Sequence, residues 1–137
     1  MGLPRVALIG CGNWGKNLVR NFHHLGALST VCDNDQKRLD FVAREFRGVK
    51  TTSDYDSVLR DPEVSAIVIA TPSDTHFNLA RQALLAGKHV YVEKPLAIHL
   101  DDATRILTTA HRTGTRLYVG HNMRHMDVVR GMRRIIR

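Results

Sequence analysis

Two kinds of stretch alternate along this chain. Short, mainly apolar runs occupy Val6 to Ile9, Ala27 to Asp33, Val49 to Thr51, Ala66 to Ala70, His89 to Val92 and Arg116 to Gly120. Val6 to Ile9 is the kind of run a strand buried on both faces requires, and Ala66 to Ala70 is the clearest buried strand. Between these runs apolar residues recur at helical spacing. Helices are expected from about Trp14 to Leu25, from Gln36 to Phe46 (Leu39, Val42, Ala43, Phe46), and from the cap Ser53-Asp54-Tyr55-Asp56 to Arg60. Others are expected after Thr71-Pro72-Ser73-Asp74-Thr75-His76 to Ala86, from Asp101 to Thr113, and from about Asp127. Gly87 and Gly114 end two of these. In the last, Val128, Met132, Ile135 and Ile136 share one side. Strands alternating with helices imply an α/β fold with a doubly wound parallel sheet, in the order 3-2-1-4-5-6, with its crevice between strands one and four.

The turn after the first strand carries the first chemistry. Gly10, Gly12 and Gly15 fall in the spacing G-x-G-x-x-G, with Asn13 and Trp14 between the last two. Gly10 permits a tight turn, Gly12 leaves room for a pyrophosphate against the backbone, and Gly15 lets the helix lie on the sheet. The helix start offers backbone N–H groups and the positive end of its dipole to a diphosphate. Asp33 lies 18 positions after Gly15, at the end of the second strand. The set fits a dinucleotide-binding (Rossmann) turn, against the plainer reading of a tight turn with no ligand. A carboxylate at Asp33 would accept ribose hydroxyls and repel a 2′-phosphate, favouring NAD over NADP. It could instead cap the helix that follows Asp33-Asn34-Asp35. Arg38 would either stack on an adenine or stand as an ordinary exposed helical arginine.

The topology brings further groups to the same sheet edge: Thr71-Pro72, Glu93-Lys94-Pro95 and His121-Asn122. Pro95 disfavours helical geometry at Lys94, so the ammonium should project from the strand end. There it would meet a ribose or substrate hydroxyl, or move a proton if partial burial lowered its pKa; otherwise it is a solvated loop lysine. His121 and His125 are spaced as two zinc ligands on a helix, but no third ligand is near in sequence, and no metal is expected.

Composition changes this picture little. At 137 residues, 43% hydrophobic and 24% charged, the chain suits one globular domain. The formal charge of +7 would favour anionic ligands. However, much of the excess lies in Arg124, Arg130, Arg133, Arg134 and Arg137, without interleaved aromatics, so nucleic acid is not expected as a partner. The two cysteines, Cys11 and Cys32, are too few for a disulfide framework. With no membrane-length apolar run and no secretory leader at Met1 to Arg5, a cytoplasmic location is expected.

Taken together, these residues resemble the N-terminal half of the Gfo/Idh/MocA oxidoreductases. The resemblance rests on Gly10-Cys11-Gly12-Asn13-Trp14-Gly15, Val31-Cys32-Asp33, Ala70-Thr71-Pro72 with His76, Val92-Glu93-Lys94-Pro95 and Val119-Gly120-His121-Asn122-Met123-Arg124. It implies NAD as cofactor, with NADP the lesser alternative, and hydride exchange with a carbon of a sugar, sugar nucleotide or cyclitol. It also implies that Gly10, Gly12, Asn13, Trp14, Gly15, Asp33, Thr71, Pro72, His76, Glu93, Lys94 and Asn122 bind the cofactor, and that Lys94 is catalytic. The segment Trp14 to Phe22 looks more like the branch acting on nucleotide-linked N-acetyl sugars than like inositol dehydrogenases. Residues 1–122 would form the cofactor domain. Residues 123–137 would begin a helix connecting to a second, substrate-binding α/β domain that this chain lacks, and homo-oligomers would be usual. Two alternatives are a non-catalytic dinucleotide-binding module and a basic interaction domain with a vestigial glycine turn.

Overall fold

The computed structural model describes residues 3–122 and 126–136. Strand β1 (Val6–Ile9) leads through the glycine turn into α1 (Gly15–His24), followed by β2 (Leu28–Cys32), α2 (Gln36–Glu45), β3 (Lys50–Thr52) and α3 (Tyr55–Arg60). The second half comprises β4 (Ala66–Ile69), a 3₁₀ turn (Ser73–Thr75), α4 (His76–Leu85), β5 (His89–Glu93), α5 (Leu100–Thr113), β6 (Leu117–Gly120) and α6 (Asp127–Ile136). The sheet order is β3-β2-β1-β4-β5-β6, with every pairing parallel, as the pattern of runs predicts.

Two cores explain why β1 and β4 read as unbroken apolar runs. On one face, Val6 and Leu8 of β1 pack with Val31 and Val68 against Leu18 and Val19 of α1 and Leu39 and Val42 of α2. On the other, Ala7, Ile9, Ile67, Ile69, Val90 and Val92 meet Val58 of α3, Ala80, Ala83 and Leu84 of α4, and Ile106 and Ala110 of α5. Successive residues of a strand therefore serve opposite layers. Each fully buried Leu, Ile or Val contributes about 1.5–3 kcal/mol, so both layers are needed to hold the sheet.

Register positions the site. Ile9 pairs with Cys32 and with Ile69, Ile69 with Val92, and Glu93 with Gly120. The strands thus end nearly level, and Gly10, Asp33, Thr71, Lys94 and His121 all leave the sheet along one edge. Helix ends follow local chemistry. Asp35 caps α2 by accepting from Lys37 N–H at 2.9 Å, and Asp54 caps α3 by accepting from Ser57 N–H at 3.2 Å. The capping alternative for Asp33 thereby falls to Asp35. The helix expected after Thr71–His76 is α4, and the segment before it holds a 3₁₀ turn.

Candidate functional site

The glycine turn is shaped by its two outer glycines. Gly10 has φ +87°, and a Cβ there would lie 2.7 Å from the Thr71 methyl, so both backbone and space demand glycine. A Cβ on Gly15 would collide with the Gly10 carbonyl. Gly12 differs: a Cβ there meets only the Arg38 guanidinium, at 3.7 Å. No steric need of the protein itself accounts for that glycine. The N–H groups of Gly12 and Asn13 make no hydrogen bond among the described residues. The turn is thus a row of open donors at the start of α1, a place suited to an anion.

Asp33 is tied into this turn. One carboxylate oxygen accepts from Cys11 N–H at 2.7 Å and the other from Asp35 N–H at 2.9 Å, with Arg38 Nη1 3.5 Å away. Burial acts to raise its pKa. The bonds from Asp35 and Cys11, helped by Arg38, outweigh this and hold it below 3.8, so it is ionised at neutral pH. Each oxygen keeps lone-pair capacity for a further donor. Cys11 and Cys32 flank it as free, buried thiols, and burial first, then the Asp33 charge, pushes both up to about 11. They are therefore poor nucleophiles. A cavity of about 780 Å³ opens beside Asp33, lined also by Gly10, Arg38, Ser53, Tyr55, Thr71 and Pro72.

A second cavity, of about 720 Å³, lies on the other side of Thr71 and is lined by Trp14, Ser73, His76, Glu93, Lys94, His121 and Asn122 among others. Its wall is fastened by hydrogen bonds. Thr75 Oγ1 donates to the Pro72 carbonyl at 2.7 Å and lies 2.6 Å from Thr71 Oγ1. His76, 1% exposed, joins the two loops, with Nδ1 2.7 Å from the Pro95 carbonyl and Nε2 2.9 Å from the Thr71 carbonyl. Both partners are acceptors, so a singly protonated ring serves one of them at a time. Both ring nitrogens are taken by backbone; what His76 offers the cavity is a positioned wall. The Lys94–Pro95 bond is cis, and the Lys94 ammonium makes no ion pair or hydrogen bond among the described residues. Trp14 is half exposed at the rim.

Of the residues singled out in the sequence, Gly10, Asp33, Thr71 and Pro72 border the first cavity. Trp14, Thr71, His76, Glu93, Lys94 and Asn122 border the second. Gly12, Asn13 and Gly15 belong to the turn between them. Sequence reasoning missed Tyr91, whose hydroxyl lies 2.9 Å from Glu93 Oε1. Its place in an apolar strand run concealed it. No group of three or more metal-ligating side chains occurs among the described residues. His125, the proposed companion of His121, lies outside them, as do Met123 and Arg124. No described helix is long and apolar enough to cross a membrane.

Scyllo-inositol 2-dehydrogenase (NAD(+)) of Bacillus subtilis is 35% identical over 129 residues, covering 90% of this chain and 36% of that protein. The WlbA dehydrogenase of Bordetella pertussis, solved with NADH and UDP-GlcNAcA, superposes with TM-score 0.92 at 28% identity over 99% of this chain and 41% of its own. UDP-N-acetylglucosamine 3-dehydrogenase GnnA of Acidithiobacillus ferrooxidans gives 0.89 at 29% identity over 98% and 42%. The chain spans about a third of the length of the curated relatives it matches. Residues 4–121 match the profile described as oxidoreductase family, NAD-binding Rossmann fold, and the chain belongs to this Gfo/Idh/MocA family.

Proposed function

We propose that this chain is the NAD-holding part of an oxidoreductase that moves hydride between the nicotinamide and a carbon of a sugar nucleotide or related sugar or cyclitol. The observation that carries the reading is one continuous edge. An ionised Asp33, a turn with open N–H donors at Gly12 and Asn13, and a cavity bearing Lys94 follow one another along the strand ends. The fit to a dinucleotide rests on Gly12, where glycine serves no internal contact and leaves backbone open to a ligand. Bound NAD supplies the carbon that takes or gives the hydride.

The residues of the chain do the rest. Gly12 and Asn13 N–H groups bind the diphosphate, aided by the helix dipole. Asp33 accepts the ribose hydroxyls of the adenosine half and disfavours a 2′-phosphate. Thr71 and Pro72, held by Thr75 and His76, form the wall between the two cavities. Glu93, Asn122 and Trp14 border the nicotinamide half. Lys94, free of ion pairs among the described residues, contacts the nicotinamide ribose and the substrate hydroxyl and helps move its proton. Likeness to WlbA and GnnA supports the sugar-nucleotide choice, and the B. subtilis relative supports the cyclitol one.

Residues 123–137 lead, in this reading, toward a substrate domain, as relatives about three times the chain's length suggest. Calorimetry with NAD tests the binding. A weak but measurable affinity is expected, abolished by Gly12→Val, while the 137-residue chain alone reduces no NAD with UDP-N-acetyl sugars or inositols. Steady turnover by the chain alone would overturn the division of labour.

A further inference from the structure

Glu93 and Lys94 are neighbours in sequence and border the same cavity, yet they form no ion pair. Glu93 is 8% exposed; the pleat starts it and Lys94 toward opposite faces, but both border the cavity at the strand end, where an ammonium and a carboxylate attract unless something holds them apart. The holding contact is on the strand pair β5–β6. Tyr91 and Glu93 lie two residues apart on β5 and so face the same side. Their partners across the ladder are Tyr118 and Gly120. The Tyr91 ring stacks on Tyr118 at 5.5 Å, with the planes 23° apart. Its hydroxyl then reaches into the space above Gly120. A Cβ on Gly120 would lie 2.5 Å from that hydroxyl and 3.0 Å from Glu93 Oε1.

The hydroxyl donates to Glu93 Oε1 at 2.9 Å, and the carboxamide oxygen of Asn122 stands 3.3 Å away. A phenol has one proton. If it goes to the carboxylate, the Asn122 amide turned over donates its NH₂ to the phenol oxygen. Burial, and next the Glu93 carboxylate, push the Tyr91 phenol above its ordinary range, so it remains a donor. Asn122, Tyr91 and Glu93 thus make a chain of hydrogen bonds running under the cavity floor.

We propose that Tyr91 is a positioning residue: its hydroxyl, admitted by the absent side chain of Gly120, ties down the Glu93 carboxylate and so keeps Lys94 free to meet the ligand. The proposal rests on the reading of this cavity as the nicotinamide end. Two probes separate it from that reading: NAD⁺, which fills both cavities, and ADP, which lacks the nicotinamide and the ribose that Lys94 would meet. Tyr91→Phe removes one oxygen and should lower NAD⁺ affinity about three- to tenfold, the scale of a weakened hydrogen bond to a charged group. ADP should bind Tyr91→Phe within about twofold of its affinity for the unsubstituted chain, because the Asp33 half is untouched. In a Glu93→Gln background no carboxylate can capture Lys94, and the Tyr91→Phe effect should vanish.

Gly120→Ala, which displaces the same hydroxyl by contact, should reproduce the split between probes if Tyr91→Phe fails to fold. Equal loss of both probes, no loss of NAD⁺ affinity, or a penalty that persists in the Glu93→Gln background overturns the positioning role. Binding of neither probe by the unsubstituted chain overturns the cofactor reading, and the proposal with it.

Discussion

Asp33 is where one side chain serves the fold and, in the proposed reading, the ligand. It anchors the glycine turn through Cys11 N–H and the start of α2 through Asp35 N–H. Asp33→Ala should therefore weaken NAD by about 1–3 kcal/mol, more than it weakens NADP, and should lower stability by a similar amount because a buried N–H loses its acceptor. Comparing the two cofactors by calorimetry separates these effects, since equal loss for both leaves only the structural role. The acid limb of stability follows from the same contacts. The folded pKa of Asp33 lies below the unfolded 3.8, so its contribution is complete above that value and is lost as pH falls through the folded one. Denaturant titrations between pH 6 and 3 (about the span of carboxylate titration) should show a smaller acid loss in Asp33→Asn than in the unsubstituted chain. The neighbouring thiols supply an independent check. With values near 11, Cys11 and Cys32 should resist iodoacetamide in the folded chain at neutral pH and react only on unfolding.

At the scale of elements, most of the architecture was legible, because local rules and global fold agree. The expected runs became the strands, and the glycines that follow α4 and α5, Gly87 and Gly114, are left-handed. Differences at the ends amount to a residue or two. The helix expected from Trp14 begins at Gly15, and the strand expected to end at Asp33 ends at Cys32. Terminal residues there answer to caps and side-chain anchors that periodicity does not register. The site was legible wherever a motif carries its own chemistry, as in Gly10 to Gly15 and Glu93-Lys94-Pro95. The candidate site was not legible where side chains meet by pairing across the sheet or between loops. Tyr91 reads as one more strand aromatic until Gly120 is found opposite Glu93. His76 reads as a site imidazole until Pro95, 19 residues on, is found bonded to it. Its role as a brace has a direct consequence. His76→Ala should cost about 1–3 kcal/mol by freeing the Thr71 and Pro95 carbonyls, read as a lowered midpoint in urea. Hydrogen exchange should then quicken around Thr71–Thr75 and Pro95–Ala97 ahead of the β1–β2 strands.

For the whole molecule, the question is which surfaces this domain leaves for others. Helix α6 runs over Asp127–Ile136 as its pattern predicts, and Met132 on it is 55% exposed. The side chains of Val128, Ile135 and Ile136, expected on the same apolar side, lie outside the described residues. We expect this end to self-associate by symmetric helix packing, since a contiguous apolar face is commonly paired. Light scattering at rising concentration should show dimers, and a monomer throughout would count against the expectation. The central claim is nonetheless about the strand-end edge. It makes a dinucleotide the ligand of a turn whose middle glycine does nothing for the protein itself. Isothermal titration of NAD into the folded chain, beside Gly12→Val with an unchanged melting temperature, tests that most directly. The account predicts saturable binding to the first and none to the second. Equal binding by both, or binding by neither, would contradict it.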